Sequence, residues 1–241
     1  MKSEPLSQAR LDALWASLHE AVADSAWEEA EGLLRRFLQL APGSPIDVWD
    51  TLAYVLLMQG DYRSCLASLE PRRRDPSRSF WLEHKLGDAH RGLNQLEAAA
   101  VCYRRSLDDG SDSPLTFRNL LQVLDALDPN LSVMELQAWQ QNSQKPAAGA
   151  WEGAREAAVL VPGMELAQQL WISGEADALC RKRLIEKGCY DMDLERVMSL
   201  LEAAQESDQG LSGWELALRQ RLQDLGLGVT SNGPDAGAPQ R

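Results

Sequence analysis

Apolar residues recur along this chain at three- and four-residue spacings, and glycine, proline and aspartate cut the periodic stretches at short, similar intervals. The breaks predict helices over 6–23, 26–41, 46–59, 61–70, 80–92, 94–109, 114–127 and 132–143. Further helices are expected at about 150–160, 164–173, 175–187, 191–207 and 212–225. The clearest breaks are Ala41-Pro42-Gly43, Gly60-Asp61, Pro71 and Asp128-Pro129-Asn130, and 143–149 reads as a linker. The segment Gly226–Arg241 is rich in Gly, Pro, Ser and Asn with few apolar residues, so disorder is expected there.

Composition narrows the fold class. Leu 39 and Ala 30 dominate, whereas Val 10, Ile 3 and Thr 3 are too few to furnish the pleated faces of a sheet. An all-α chain is expected, which excludes the Rossmann, barrel and hydrolase frameworks.

Short helices of similar length call for a search for repeats. Trp49, Leu52, Ala53, Leu56, Gly60, Tyr62, Cys65 and Leu69 form a spaced pattern. Thirty-four residues on, Leu86, Gly87, His90, Asn94, Leu96, Ala99 and Tyr103 repeat it, and Phe117, Leu120, Leu121 and Leu124 repeat its first half. Upstream, Trp27, Ala30, Leu34 and Pro42 match the second half one residue out of phase, and Leu166, Ala167, Leu170, Gly174 and Ala176 resemble a degenerate unit. In this pattern the chain resembles the tetratricopeptide repeat (TPR) family. The resemblance implies an α-solenoid of antiparallel helix pairs, a right-handed superhelix with a divergent helical C-terminal cap. It places repeats at about 11–45, 46–79, 80–113 and 114–147, within a repeat region of 6–143, followed by a helical region at 150–225 and the tail at 226–241. Stacked pairs of this kind build a core that no single pair has alone.

Charge decides which partners fit. With 36 acidic against 24 basic residues the net charge is −12, which disfavours nucleic acid and anionic membrane surfaces. No run of 18 apolar residues suggests membrane insertion, and MKSEPLSQARLDALW has no apolar signal core, so a cytoplasmic protein is expected. Cys65, Cys102, Cys180 and Cys189 contain no CxxC pair and read as reduced thiols. An Arg-rich, Lys-poor, Ala-rich composition fits a bacterial origin.

No nucleophile, phosphate-loop or zinc signature is present, so no catalytic residue is assigned and neither a cofactor nor a metal is expected. His84 and Asp88, four apart on one helix face, offer at most two metal ligands. By that resemblance His90 stands where the family has an aromatic, Trp27 in an aromatic packing slot and Trp49 in the family's tryptophan slot, so all three are expected in the core. Arg35-Arg36, Arg104-Arg105 and the 181–183 cluster read as solvated surface, while Arg72, Arg73 and Arg74 form a basic loop that could meet an acidic partner.

The resemblance turns first helices toward a concave groove. That gives Trp15; Asp47, Asp50, Thr51, Tyr54 and Leu57; Trp81, His84, Lys85, Asp88 and Arg91; and Arg118, Asn119 and Gln122. The partner-binding candidates are Trp15, Asp47, Asp50, Tyr54, Trp81, His84, Asp88, Arg91, Arg118 and Gln122. TPR domains that clamp a chaperone's terminal carboxylate carry Lys and Asn on the first repeat, where this chain has Trp15 and His19. The expected function is a non-catalytic protein–protein scaffold or assembly adaptor that binds a partner peptide or helix. The alternatives are an accessory subunit or helical enzyme completed by the C-terminal region, and a small-molecule sensor. Oligomeric state is not legible in the sequence.

Overall fold

A computed structural model describes residues 8–142, 148–206 and 210–227, so the expected linker core at 143–147 and the tail beyond Leu227 lie outside the described residues. Among the described residues there are thirteen α-helices and no strand. They are α1 (Gln8–Ala23), α2 (Trp27–Leu40), α3 (Ile46–Met58), α4 (Tyr62–Leu69), α5 (Phe80–Gly92), α6 (Leu96–Asp108) and α7 (Pro114–Leu127). There follow α8 (Pro129–Asn142), α9 (Ala148–Leu160), α10 (Glu165–Ile172), α11 (Ala178–Tyr190), α12 (Leu194–Glu206) and α13 (Gly213–Asp224). Two compact units divide between Leu166 and Ala167, at the start of α10.

In the first unit one turn recurs. Ser25, Gly60 and Asn94 each adopt positive φ at the end of α1, α3 and α5, spaced by 35 and 34 residues. At each, the amide of the positive-φ residue donates three residues back: Ser25 to Val22, Gly60 to Leu57, Asn94 to Arg91. The next amide donates five residues back: Ala26 to Ala21, Asp61 to Leu56, Gln95 to His90. This pair of bonds satisfies the orphan carbonyls of the helix end and starts the next helix at once. Gly60 adopts φ 75° without a Cβ penalty, whereas Asn94 reaches φ 57° as the residue type that best tolerates that region.

Other boundaries move for local reasons. Pro71 removes an amide donor, so α4 stops at Leu69 and the chain continues through a short 3-10 turn, Glu70–Arg72. The expected 132–143 helix begins earlier. Pro129 is its first residue, a position where the missing N–H costs nothing, and Asp128 Oδ1 accepts from the Asn130 amide at 2.8 Å. The expected 175–187 helix starts at Ala178 because Asp177 caps it, accepting from the Cys180 amide, and it runs on to Tyr190.

Sequential helices pack on one another from α1 to α8; α3 also meets α5, and α9 packs on α7. The core of α1–α6 is built from Leu34, Leu52, Val55, Leu56, Cys65, Leu69 and Leu86, closed by small residues such as Ala30 and Ala53. At Gly87 an added Cβ would stand 2.6 Å from the Tyr103 ring, so this glycine is the seat of that ring. Gly149 and Gly153, one turn apart on α9, lie against the backbone carbonyls of Asp112 and Pro114, where a Cβ would overlap. In the second unit, Arg181 of α11 is 3% exposed and Glu215 of α13 is 1% exposed; their side chains pair at 2.6 Å. Glu215 also closes a capping box with Ser212. Burial by itself would raise the Glu215 carboxyl, but bonds from Arg181 and Ser212 outweigh it and hold the group below the usual carboxylate range.

Candidate functional site

Helix α5 carries the densest polar chemistry. The Asp88 Oδ1 accepts from the Tyr103 hydroxyl at 2.6 Å, the Asn119 amide at 3.1 Å and Arg91 at 3.3 Å. Its Oδ2 lies 3.3 Å from His84 Nε2. On the other side of the imidazole, Nδ1 shares a hydrogen with the Thr116 hydroxyl at 2.8 Å, and Thr116 meets Ser111 at 2.9 Å. One polar chain thus joins α5, α6 and α7. Burial pushes the Asp88 carboxyl up, but hydrogen bonds from His84 and Tyr103 and the charge of Arg91 more than offset it, leaving it below the ordinary range. Burial also pushes the Tyr103 phenol up, so it remains a donor.

A hydroxyl, an imidazole and a carboxylate in series have the order of a nucleophilic relay. Here Thr116 is fully buried and His84 is 5% exposed, so no substrate carbonyl can reach the hydroxyl. Both imidazole nitrogens are engaged within the fold. The arrangement therefore fastens helices together. Among the described residues no group of three or more His, Cys, Asp or Glu is placed to hold a metal ion. Burial pushes the Cys65 thiol up to about 12 and the Cys102 thiol up to about 11, the latter despite Arg73, so both remain thiols. None of the four cysteines is in a disulfide.

Beside this network lies a cavity of about 560 Å³. Helix α3 contributes Tyr54, Leu57 and Met58; α4 contributes Tyr62; α5 contributes Trp81, His84, Lys85, Asp88, Arg91 and Gly92; α7 contributes Leu115. A Cβ on Gly92 would overlap the Tyr62 ring, so that ring is set flat against the end of α5. Lys85 Nζ pairs with Asp50 at 2.7 Å and stands 5.9 Å from the Trp81 ring centroid. Trp81 packs edge-on against His84 at 5.1 Å, and His84 against Tyr103 at 5.6 Å.

Of the sequence-derived candidates, Tyr54, Trp81, His84, Asp88 and Arg91 line this cavity together. Asp50 reaches it only through its ion pair with Lys85. The other four are placed elsewhere. Trp15 packs against Phe37 at 5.5 Å and His19 at 5.3 Å. Asp47 is exposed on α3, Arg118 pairs with Glu156 of α9 at 3.0 Å, and Gln122 is half-buried on α7. Sequence reasoning missed Met58, Tyr62, Gly92 and Leu115. Tyr62 stands in a second-helix packing slot of the repeat pattern, and nothing in its spacing shows that its ring also walls a cavity.

The arginine clusters are less free than their spacing suggests. Arg72 stacks 3.2 Å over the Trp49 ring, and Arg73 bonds Glu83, Glu70 and Cys102, so the basic loop spends two of its three cations internally. Arg104 pairs with Glu135 at 2.6 Å across α6 and α8, and Arg181 is buried against Glu215. Acids 31 and 34 residues away, invisible to local spacing, account for both. No helix among the described residues is long and apolar enough to cross a membrane. No protein-family model matches the chain, and no curated protein matches it either.

Proposed function

We propose that the chain is a TPR-like helical repeat that acts as a non-catalytic interaction scaffold, holding a segment of a partner protein against the first helices of successive pairs. Three features support the repeat reading: the recurrent turns at Ser25, Gly60 and Asn94, the α3–α5 contact, and Gly87 beneath Tyr103. The observation that carries the functional reading is the cavity, in which α3, α5 and α7 bring apolar walls and a few fixed polar groups to one place. Preformed concave surfaces of this kind bind with little ordering cost on the receptor side. Small-molecule sensing is the second reading, because about 560 Å³ falls within the size range of ligand pockets.

The test is a titration of the partner captured from native lysate. Met58 is 47% exposed on the cavity wall, so Met58→Asp should weaken binding by at least tenfold without altering the helical circular dichroism spectrum. Arg36→Glu, on the exposed face of α2, should leave the affinity unchanged. The reverse result would place the partner on the second helices. A stoichiometric small molecule retained in native mass spectrometry, with no protein partner, would favour the sensor.

A further inference from the structure

We infer that the cavity is an anchor site for a partner segment in which a large apolar side chain stands beside one or two carboxylates; the inference rests on the interaction reading above. The apolar half comes from the walls. Tyr54, Met58 and Leu115 are large apolar residues left 40%, 47% and 40% exposed, and all three surround this one cavity. With Tyr62 and Trp81 they form a cup that water fills poorly and an apolar side chain fills well.

The charged half comes from the lining Lys, His, Asp and Arg side chains, taken in turn. Lys85 is 12% exposed and held by Asp50 at 2.7 Å. Both nitrogens of His84 are engaged, and Asp88 already receives Tyr103 and Asn119 in addition to its contact with His84. Arg91 differs. Its side chain is 40% exposed and makes one long contact, 3.3 Å, to an oxygen already served by two shorter ones. A guanidinium carries five donors in a planar fork that matches a carboxylate, so Arg91 is the lining cation with donors to spare. The partner's carboxylate therefore goes to Arg91 while its apolar neighbour enters the cup. A chain of net charge −12 repels a polyacidic segment at long range, which limits the occupant to one or two carboxylates.

The probes are acetyl-Asp-Leu-Phe-Asp-amide, its neutral analogue acetyl-Asn-Leu-Phe-Asn-amide, and phenylacetate, each titrated into the full ¹⁵N-labelled chain. The readout is the indole resonance of Trp81, assigned by its loss in Trp81→Phe. The acidic peptide should shift this resonance saturably and bind about tenfold tighter than the neutral peptide. Arg91→Gln, a change at an exposed helix end, should bring the acidic peptide down to the neutral one's affinity, and Leu115→Asp should weaken both. The inference fails if both peptides bind equally, if Arg91→Gln has no effect, or if no probe moves the Trp81 resonance. Binding of phenylacetate alone would make the cavity a small-acid pocket and overturn the peptide assignment. Peptide-induced shifts confined to other indoles would remove the site while leaving the interaction reading intact, since that reading stands or falls on the Met58→Asp partner titration.

Discussion

Asp88 gathers donors from three helices, and its ionised form is the one they stabilise. Its folded pKa lies below the ordinary aspartate value of about 3.9, so its contribution is present above that value and disappears as the pH falls through the folded one. Asp88→Asn should therefore lower the urea midpoint clearly at pH 7, and the gap to the parent chain should narrow by pH 3. Equal gaps at both pH values would contradict this account. His84 teaches a related lesson. Read by spacing it looks like a dispensable groove residue whose removal should barely affect stability. Buried between Thr116 and Asp88, it instead fills two hydrogen-bonding roles. His84→Ala should cost about 1–3 kcal/mol in urea unfolding, the penalty of leaving buried polar groups unpaired.

At the scale of elements, two helical glycines make opposite forecasts. Gly32 lies within α2 with open space where a Cβ would stand, so Gly32→Ala should stabilise by about 0.5–1 kcal/mol through helix propensity alone. On α9, by contrast, Gly153 faces the Pro114 carbonyl, and backbone cannot rotate away as a side chain can. Gly153→Ala should destabilise by about 1–3 kcal/mol as α9 is forced off α7. Melting curves of the two variants shifting in the same direction would refute the close contact. In the second unit, Glu215→Ala would remove the carboxylate that pairs with Arg181 at 2.6 Å and would uncap α13. A loss of about 1–3 kcal/mol should follow from the lost charge-assisted bonds and the lost cap, seen as faster amide exchange across α11 to α13. Helix number and most helix limits were legible because Gly and Asp announce the turns. The starts of α8 and α11 were not, since Pro129 reads as a stop while it serves as a first residue, and Asp177 was passed over as a cap.

Across the whole molecule, the sequence showed the all-helical class and brought five cavity residues into one candidate set. What it could not show depends on partners distant along the chain. Thr116 lies 32 positions from His84, Glu135 lies 31 from Arg104, and Glu156 lies 38 from Arg118. Pairings at that range decide whether a polar side chain is a free contact or a fastening, and no local pattern encodes them. Hence Arg118 entered the candidate set as a groove residue although its guanidinium is committed to α9. The scaffold reading puts a partner against the cavity lined by residues of α3, α4, α5 and α7. Its most direct test is a photo-crosslinking residue placed at Met58 in one sample and at Arg36 in another, irradiated in native lysate. One discrete crosslinked protein should come from position 58 and none from position 36; crosslinks from position 36 alone, or from neither, would overturn the scaffold reading.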